Sequence, residues 1–275
     1  MTMTEQIDQQ HQEDLQRLRG FRLLDDDFMT KCFEGDPKYI QFVLRIVLDM
    51  PDLVVVDVRT QVFVDNLLNR SVRLDIVATD SKGRKINVEI QRKDKGAGRK
   101  RARFNSSMMD THFLHKGNDF DDLPETYVVF ITEHDVLGKG KPLYRIGRYN
   151  FDTNESFDDG SHIVYVNGAY RDDTPVGKLM HDFSCTDPAN MHYDVLAERV
   201  RFFKESKEGI AIMCKAMEDM RNESLKEGEK RGIEKGMKAT ALRMLEMKEF
   251  TLEKIAKISG LPLDDVKRLQ IGQDA

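Results

Sequence analysis

The chain has 275 residues, of which 40% are hydrophobic and 33% charged, with a formal net charge of −5. That length suits one sizeable domain with an appendage, or two small domains, and the apolar fraction is enough for a packed core. No window of eighteen apolar residues occurs, and Met1 to Asp14 is polar and acidic, so neither a membrane segment nor a secretory leader is expected. Cys32, Cys185 and Cys214 are odd in number and lack any CxxC spacing, which argues against a disulfide framework and a zinc ribbon and favours a reducing cytoplasm.

In chain order, residues 1–24 read as a weakly ordered or helical segment. Asp25, Asp26 and Asp27 then open a short apolar-periodic helix through Phe28 and Phe33. Asp36-Pro37 combines an N-cap acceptor with proline at the first helical position, and predicts a helix through Ile40, Val43, Leu44 and Val47 that stops near Met50-Pro51. Three strands follow, at Leu53 to Asp65 (interrupted), Val72 to Thr79 and Lys85 to Arg92. A helix from about Gly98 to His115 leads to Thr126 to Thr132, a continuous apolar run expected of a buried central strand. Tyr144 to Tyr149 and His162 to Asn167 are further strands. From Pro175 onward the pattern is helical, clearest at Val195 to Lys207. The charged stretch Ile210 to Glu249 is broken by Gly228, Gly232 and Gly236, and Thr251 to Leu269 reads as helix, Ser-Gly turn, helix. This order predicts a mixed α/β sheet flanked by helices, with a helical C-terminal extension. The expected divisions are 25–180 for the core, 181–222 for helices packing on it, and 223–275 for a charged helical tail.

Strand alternation puts Arg73 and Asp75 on one side of their strand and Leu74 and Ile76 on the other. On the next strand Asn87, Glu89 and Gln91 share a side opposite Ile86, Val88 and Ile90. A three-residue loop, Ser81-Lys82-Gly83, with glycine in the left-handed position pairs Asp80 with Arg84, and hence Asp75 with Glu89. Each strand then has an apolar side for the core and a polar side facing a cleft or solvent. Opposed like charges destabilise a strand pair, and a bound cation removes that conflict. Paired carboxylates suit Mg²⁺ or Mn²⁺, which favour oxygen ligands. The same alternation also fits a hairpin whose acids merely keep one side soluble.

Charge position adds to this. Arg92, Lys93, Lys95, Arg99, Lys100, Arg101 and Arg103 form a local basic stripe around the single acid Asp94, either a phosphate-binding surface or a solvated helix face. His112 and His115 lack a third ligand of suitable spacing, and His181 with Cys185 reads as local packing. No Walker loop or dinucleotide fingerprint is present, so no small-molecule cofactor is expected. The last helix pair has an outline like helix-turn-helix, but its second helix carries Asp264 and Asp265 against Lys267 and Arg268. A dimerisation or interaction tail therefore fits better than DNA reading.

Val72-Arg-Leu-Asp75-Ile and Asn87-Val-Glu89-Ile-Gln91-Arg92 resemble the PD-(D/E)XK nuclease-family transposases, the recombination-promoting nuclease group. The likeness extends through Asp25-Asp-Asp-Phe-Met29, Arg70-Ser-Val-Arg73, Lys100-Arg-Ala-Arg103, Tyr127 to Thr132, His162 to Gly168 and Leu179 to Cys185. It implies a restriction-endonuclease-like core and metal-dependent hydrolysis of DNA. By that likeness Asp75 and Glu89 are metal ligands, the backbone carbonyl of Ile90 is a candidate third, and Gln91 completes the catalytic set. Gln91 stands where much of the wider superfamily has lysine. Glutamine can position water but supplies no charge, which must then come from the metal or from a base such as Arg73, Arg92 or Arg103. The alternative is a decayed core that binds DNA or protein without cutting. An N-terminal helical acid is also common in the superfamily. Asp27 and Glu34 are the candidates here, with Asp25 and Asp26 behind them, against an ordinary capping role. Arg101 and Arg103 would meet phosphates, or else face water. Cutting both strands with one site per chain would favour a homodimer.

Overall fold

A computed structural model of the chain describes residues 3–65, 71–92 and 94–273. Arg70 and Lys93, part of the motif and of the basic stripe respectively, lie outside the described residues. The chain divides into two compact units, residues 1–214 and 215–275.

The first unit is built on a six-stranded mixed sheet of order β1-β2-β3-β4-β8-β5. Its strands are β1 (Val55–Val64), β2 (Val72–Asp80), β3 (Lys85–Gln91), β4 (Thr126–Thr132), β5 (Leu143–Ile146) and β8 (Ser161–Asn167). β1, β2 and β3 form an antiparallel meander, β4 and β8 run parallel to β3, and β5 returns antiparallel on β8. The expected strand at Tyr144 to Tyr149 ends instead at Ile146. Tyr149 belongs to a separate small hairpin, β6 (Tyr149–Asn150) with β7 (Glu155–Ser156). All seven residues of β4 are buried, as its unbroken apolar run predicts for a strand with covered faces on both sides.

The unit's helices are α1 (Met3–Gly20), α2 (Asp26–Phe33), α3 (Pro37–Leu48), α4 (Arg99–Phe113), α5 (Pro175–Ser184) and α6 (Asp194–Glu205). The Asp36 carboxylate accepts the Lys38 N–H at 2.9 Å and Pro37 takes the first turn, so the predicted opening of α3 is present. β1 is continuous, but it carries a left-handed residue, Gln61 at φ 54, and a register shift between Val55 and Asp57. α4 makes the crossover from β3 to its parallel neighbour β4. Its Ala102, Met108 and Met109 join Val77, Val128, Phe130 and Tyr165 of the sheet in one apolar cluster. The side of the sheet that carries Glu89 is thus covered by a helix. The polar side of β3, expected to face a cleft or solvent, is buried at Asn87 and Glu89.

α7 (Lys207–Met247) is one unbroken helix of 41 residues, although three glycines were expected to interrupt it. Single exposed glycines cost about 1 kcal/mol each. Here glutamate, lysine and alanine neighbours offset that cost, as does the Glu227–Arg231 pair at 2.8 Å. In the second unit α8 (Leu252–Ser259) and α9 (Leu263–Gln273) follow, with Thr251 capping α8 and Gly260 ending it at φ 77. Ala241, Met244, Leu245, Ile255, Leu261 and Val266 form a small core there. No described helix is long and apolar enough to cross a membrane. Among the described residues Cys32, Cys185 and Cys214 form no disulfide.

Candidate active site

The β2–β3 turn fixes the geometry of the carboxylates. The Gly83 N–H donates to the Asp80 carbonyl at 3.0 Å, with Gly83 at φ 82, and the Asp80 N–H donates to the Arg84 carbonyl at 3.2 Å. Beneath the turn the Asp80 carboxylate accepts from the Lys82 and Arg84 N–H groups, both at 2.9 Å, and pairs with the Arg84 guanidinium at 2.6 Å. The ladder then runs from Thr79↔Lys85 to Ile76↔Val88. The next pair in that register is Asp75 and Glu89.

There the two strands part, because β2 stays with β1 through Val64↔Val72 while β3 stays with β4 through Gln91↔Thr132. Side chains replace the lost ladder bonds. The Ile90 N–H donates to Asp75 Oδ2 at 3.2 Å, and the Asp75 N–H lies 3.4 Å from Glu89 Oε1. Ile90 thus meets Asp75 through its N–H. The two acids are wedged into the fork of the strands, Asp75 at 7% exposure and Glu89 at 0%.

α4 supplies the counter-charge. Arg101 Nη2 donates to Glu89 Oε2 at 2.9 Å, while Nη1 reaches the Gly96 carbonyl at 3.0 Å and Gln91 Oε1 at 3.4 Å. Asn87 Nδ2 donates to Glu89 Oε1 at 3.1 Å, and Asn87 Oδ1 is a buried acceptor with no partner among the described residues. Burial pushes the Asp75 carboxyl well above the ordinary carboxylate range, with repulsion from Glu89 and Asp26 adding to it. Burial also raises Glu89, against the Asn87 hydrogen bond and the Arg101 charge, which hold it down. One guanidinium therefore cannot neutralise both groups in their ionised form, a charge deficit that their raised pKa values express. A hard divalent cation held by carboxylate oxygens would relieve it, so the donor set fits Mg²⁺ or Mn²⁺.

Asp75 opens into a cleft of about 940 Å³ whose floor and walls include Asp26, Arg73, Gln91, Lys100, Arg101 and Arg103. Lys100, Arg103, Phe104 and Ser107 all line it, at the i, i+3, i+4, i+7 spacing of one helical face. That spacing is legible in the sequence once α4 is predicted, and it points to Lys100 and Ser107 as well as to Arg103. Among the N-terminal acids it is Asp26 that lines the cleft. Its carboxyl is raised by burial and by Asp27, against Arg73 and Arg101. Asp27 and Glu34 are not among the lining residues. Glu34 is the C-cap of α2 and pairs with Lys31 at 2.7 Å. Arg92 lies outside the lining too, paired with Asp25 at 3.0 Å and near Glu133 at 3.7 Å. A helix's first turn has several acids pointing in different directions, and only the packing of α2 against β1 and β2 selects one of them.

No curated protein and no solved structure is matched by the chain. Residues 55–169, which carry β1 to β8 and every cleft residue except Asp26, match the family model described as PD-(D/E)XK nuclease family transposase.

Proposed function

We propose that this protein is a metal-dependent DNA endonuclease whose centre is Asp75 and Glu89. The observation that carries the reading is a pair of buried, mutually repelling carboxylates at the strand fork, open through Asp75 to a cleft rich in arginine and lysine. When bound, Mg²⁺ or Mn²⁺ would supply Lewis acidity at a phosphoryl oxygen and a lowered pKa for an attacking water. The chain's own residues do the rest. Asp75 and Glu89 hold the ion, with the Ile90 carbonyl a candidate third ligand. Arg73, Lys100 and Arg103 would meet the flanking phosphates in the cleft.

Gln91 is uncharged where a lysine is common, and Arg101 answers that lack. Its guanidinium contacts both Gln91 and Glu89, within reach of the reacting phosphate. In this reading Arg101 carries the positive charge that stabilises the pentacovalent phosphate, and Gln91 orients the water. Asp26, which lines the same cleft, completes the acidic set.

Plasmid nicking tests the reading, with wild type and Glu89→Ala prepared identically in Mg²⁺, Mn²⁺ or EDTA. Metal-dependent nicking by the wild type, lost in the variant, is expected. Equal nicking by both would sink the assignment. DNA binding without nicking by either would favour a core that now only binds, the reading that Gln91 supports.

A further inference from the structure

Away from the cleft, α5 and the chain entering α6 bring two imidazoles onto one buried carboxylate. Asp182 has 0% exposure. Its Oδ1 accepts the His192 N–H at 2.7 Å and its Oδ2 the Tyr193 N–H at 2.8 Å. These two bonds hold the loop after α5, but each carboxylate oxygen keeps a second lone pair. His181 Nδ1 lies 3.2 Å from Asp182 Oδ1, and the His181 and His192 rings stand 4.6 Å apart between centroids at 60°. One ligand atom from each of the three side chains lies within 4.8 Å of the others.

That spacing is compatible with one small ion. Two ligands at 2.0–2.1 Å in tetrahedral array stand roughly 3.3 Å from each other, close to the His181–Asp182 separation. Two imidazoles with one carboxylate favour Zn²⁺ and its neighbours over Mg²⁺. His192 is exposed and His181 half-buried, so the ion has a way in, whereas Asp182 is anchored by backbone N–H groups as outer supports usually anchor a ligand. Because His181 and Asp182 are on α5 and His192 is beyond the loop, an ion here would tie the end of one helix to the start of the next.

We propose that His181, Asp182 and His192 form a zinc-class metal site, with water in the fourth position, that fastens α5 to the chain entering α6. It shares no residue with the Asp75–Glu89 cleft and does not depend on the nuclease reading. The test uses full-length protein stripped with chelator, then titrated with Zn²⁺ against a chromogenic competitor and with Co²⁺ followed by visible d–d absorption. Wild type is expected to take Zn²⁺, one equivalent of it dependent on His181 and His192 and retained in Asp75→Ala, to show the Co²⁺ band and to melt higher with Zn²⁺ present. His192→Gln and His181→Gln should each lose the band and weaken Zn²⁺ by more than the roughly 10–100-fold typical of an outer-shell loss. Asp75→Ala and Cys214→Ser should keep both; the latter is the control for a thiolate–imidazole pair outside the proposed site, since Cys214 lies 4.0 Å from His11. His192→Gln, at an exposed position, should melt like wild type without metal. No Zn²⁺ uptake by wild type, or equal uptake by the histidine variants, would overturn the proposal.

Discussion

Removing one charge from the strand fork should stabilise the metal-free protein while destroying its metal site. Asp75→Asn keeps an oxygen to accept the Ile90 N–H and gains an amide that can donate to Glu89, so packing and hydrogen bonding survive. What it removes is a carboxyl pushed up to about 8, first by burial and then by Glu89 and Asp26. A folded-state pKa above the unfolded one means that the native protein binds the extra proton. This acid therefore costs nothing below about pH 4 and progressively more as pH rises to about 8. Four pH units at ~1.4 kcal/mol each bound the cost at ~6 kcal/mol, and relaxation and water entry reduce it, so a gain of about 2 kcal/mol is expected. For a unit of this size that is a rise of about 4–8 °C in Tm. Thermal melts in EDTA at pH 8.5 and pH 5 read it directly, with the larger gain at pH 8.5. With millimolar Mn²⁺ the order should reverse, because only the wild type gains stability from binding. Equal melting of the two proteins at pH 8.5, or a gain of the same size at pH 5, would refute the repulsion argument.

Three further outcomes follow from the same geometry. Arg101→Ala should slow nicking by about 10²–10³-fold, as loss of a transition-state charge does, with partial recovery in Arg101→Lys; full activity in Arg101→Ala would remove this residue from the centre. Asp80→Ala, which strands Arg84 and two backbone N–H groups beneath the turn, should cost about 3 kcal/mol. An unchanged urea midpoint would show that the turn does not need that carboxylate. For DNA binding in EDTA, Arg103→Ala should flatten the log–log salt dependence by about 1. A slope identical to wild type would mean that Arg103 faces water.

How much of this was readable beforehand differs from residue to residue. The hairpin register was, because Ser81-Lys82-Gly83 admits a left-handed glycine and the strands flanking it alternate cleanly. β4 was readable as a central strand from five consecutive apolar residues, Tyr127 to Ile131. The fork was not. Asp75 and Glu89 read as neighbours on a regular ladder, whereas β2 follows β1 and β3 follows β4, and the acids take up the backbone N–H groups that the parting frees. Sequence does not single out Asp26 from Asp27 and Glu34, since capping and catalysis ask for the same residue type at a helix start.

Local pattern by itself determined the element order, the hairpin register, the acid pair and the basic helix. Each of these depends on residues near one another in the chain, where turn chemistry and periodicity act. Tertiary structure alone decided which charges meet. Arg101 reaches Glu89 and Gln91 only because α4 crosses the sheet face between β3 and β4, and Asp26 joins them only because α2 packs beside β1 and β2. Burial did the rest, since desolvation is the largest cause of the raised Asp75 and Glu89 carboxyls, and on an open strand water would screen most of their repulsion.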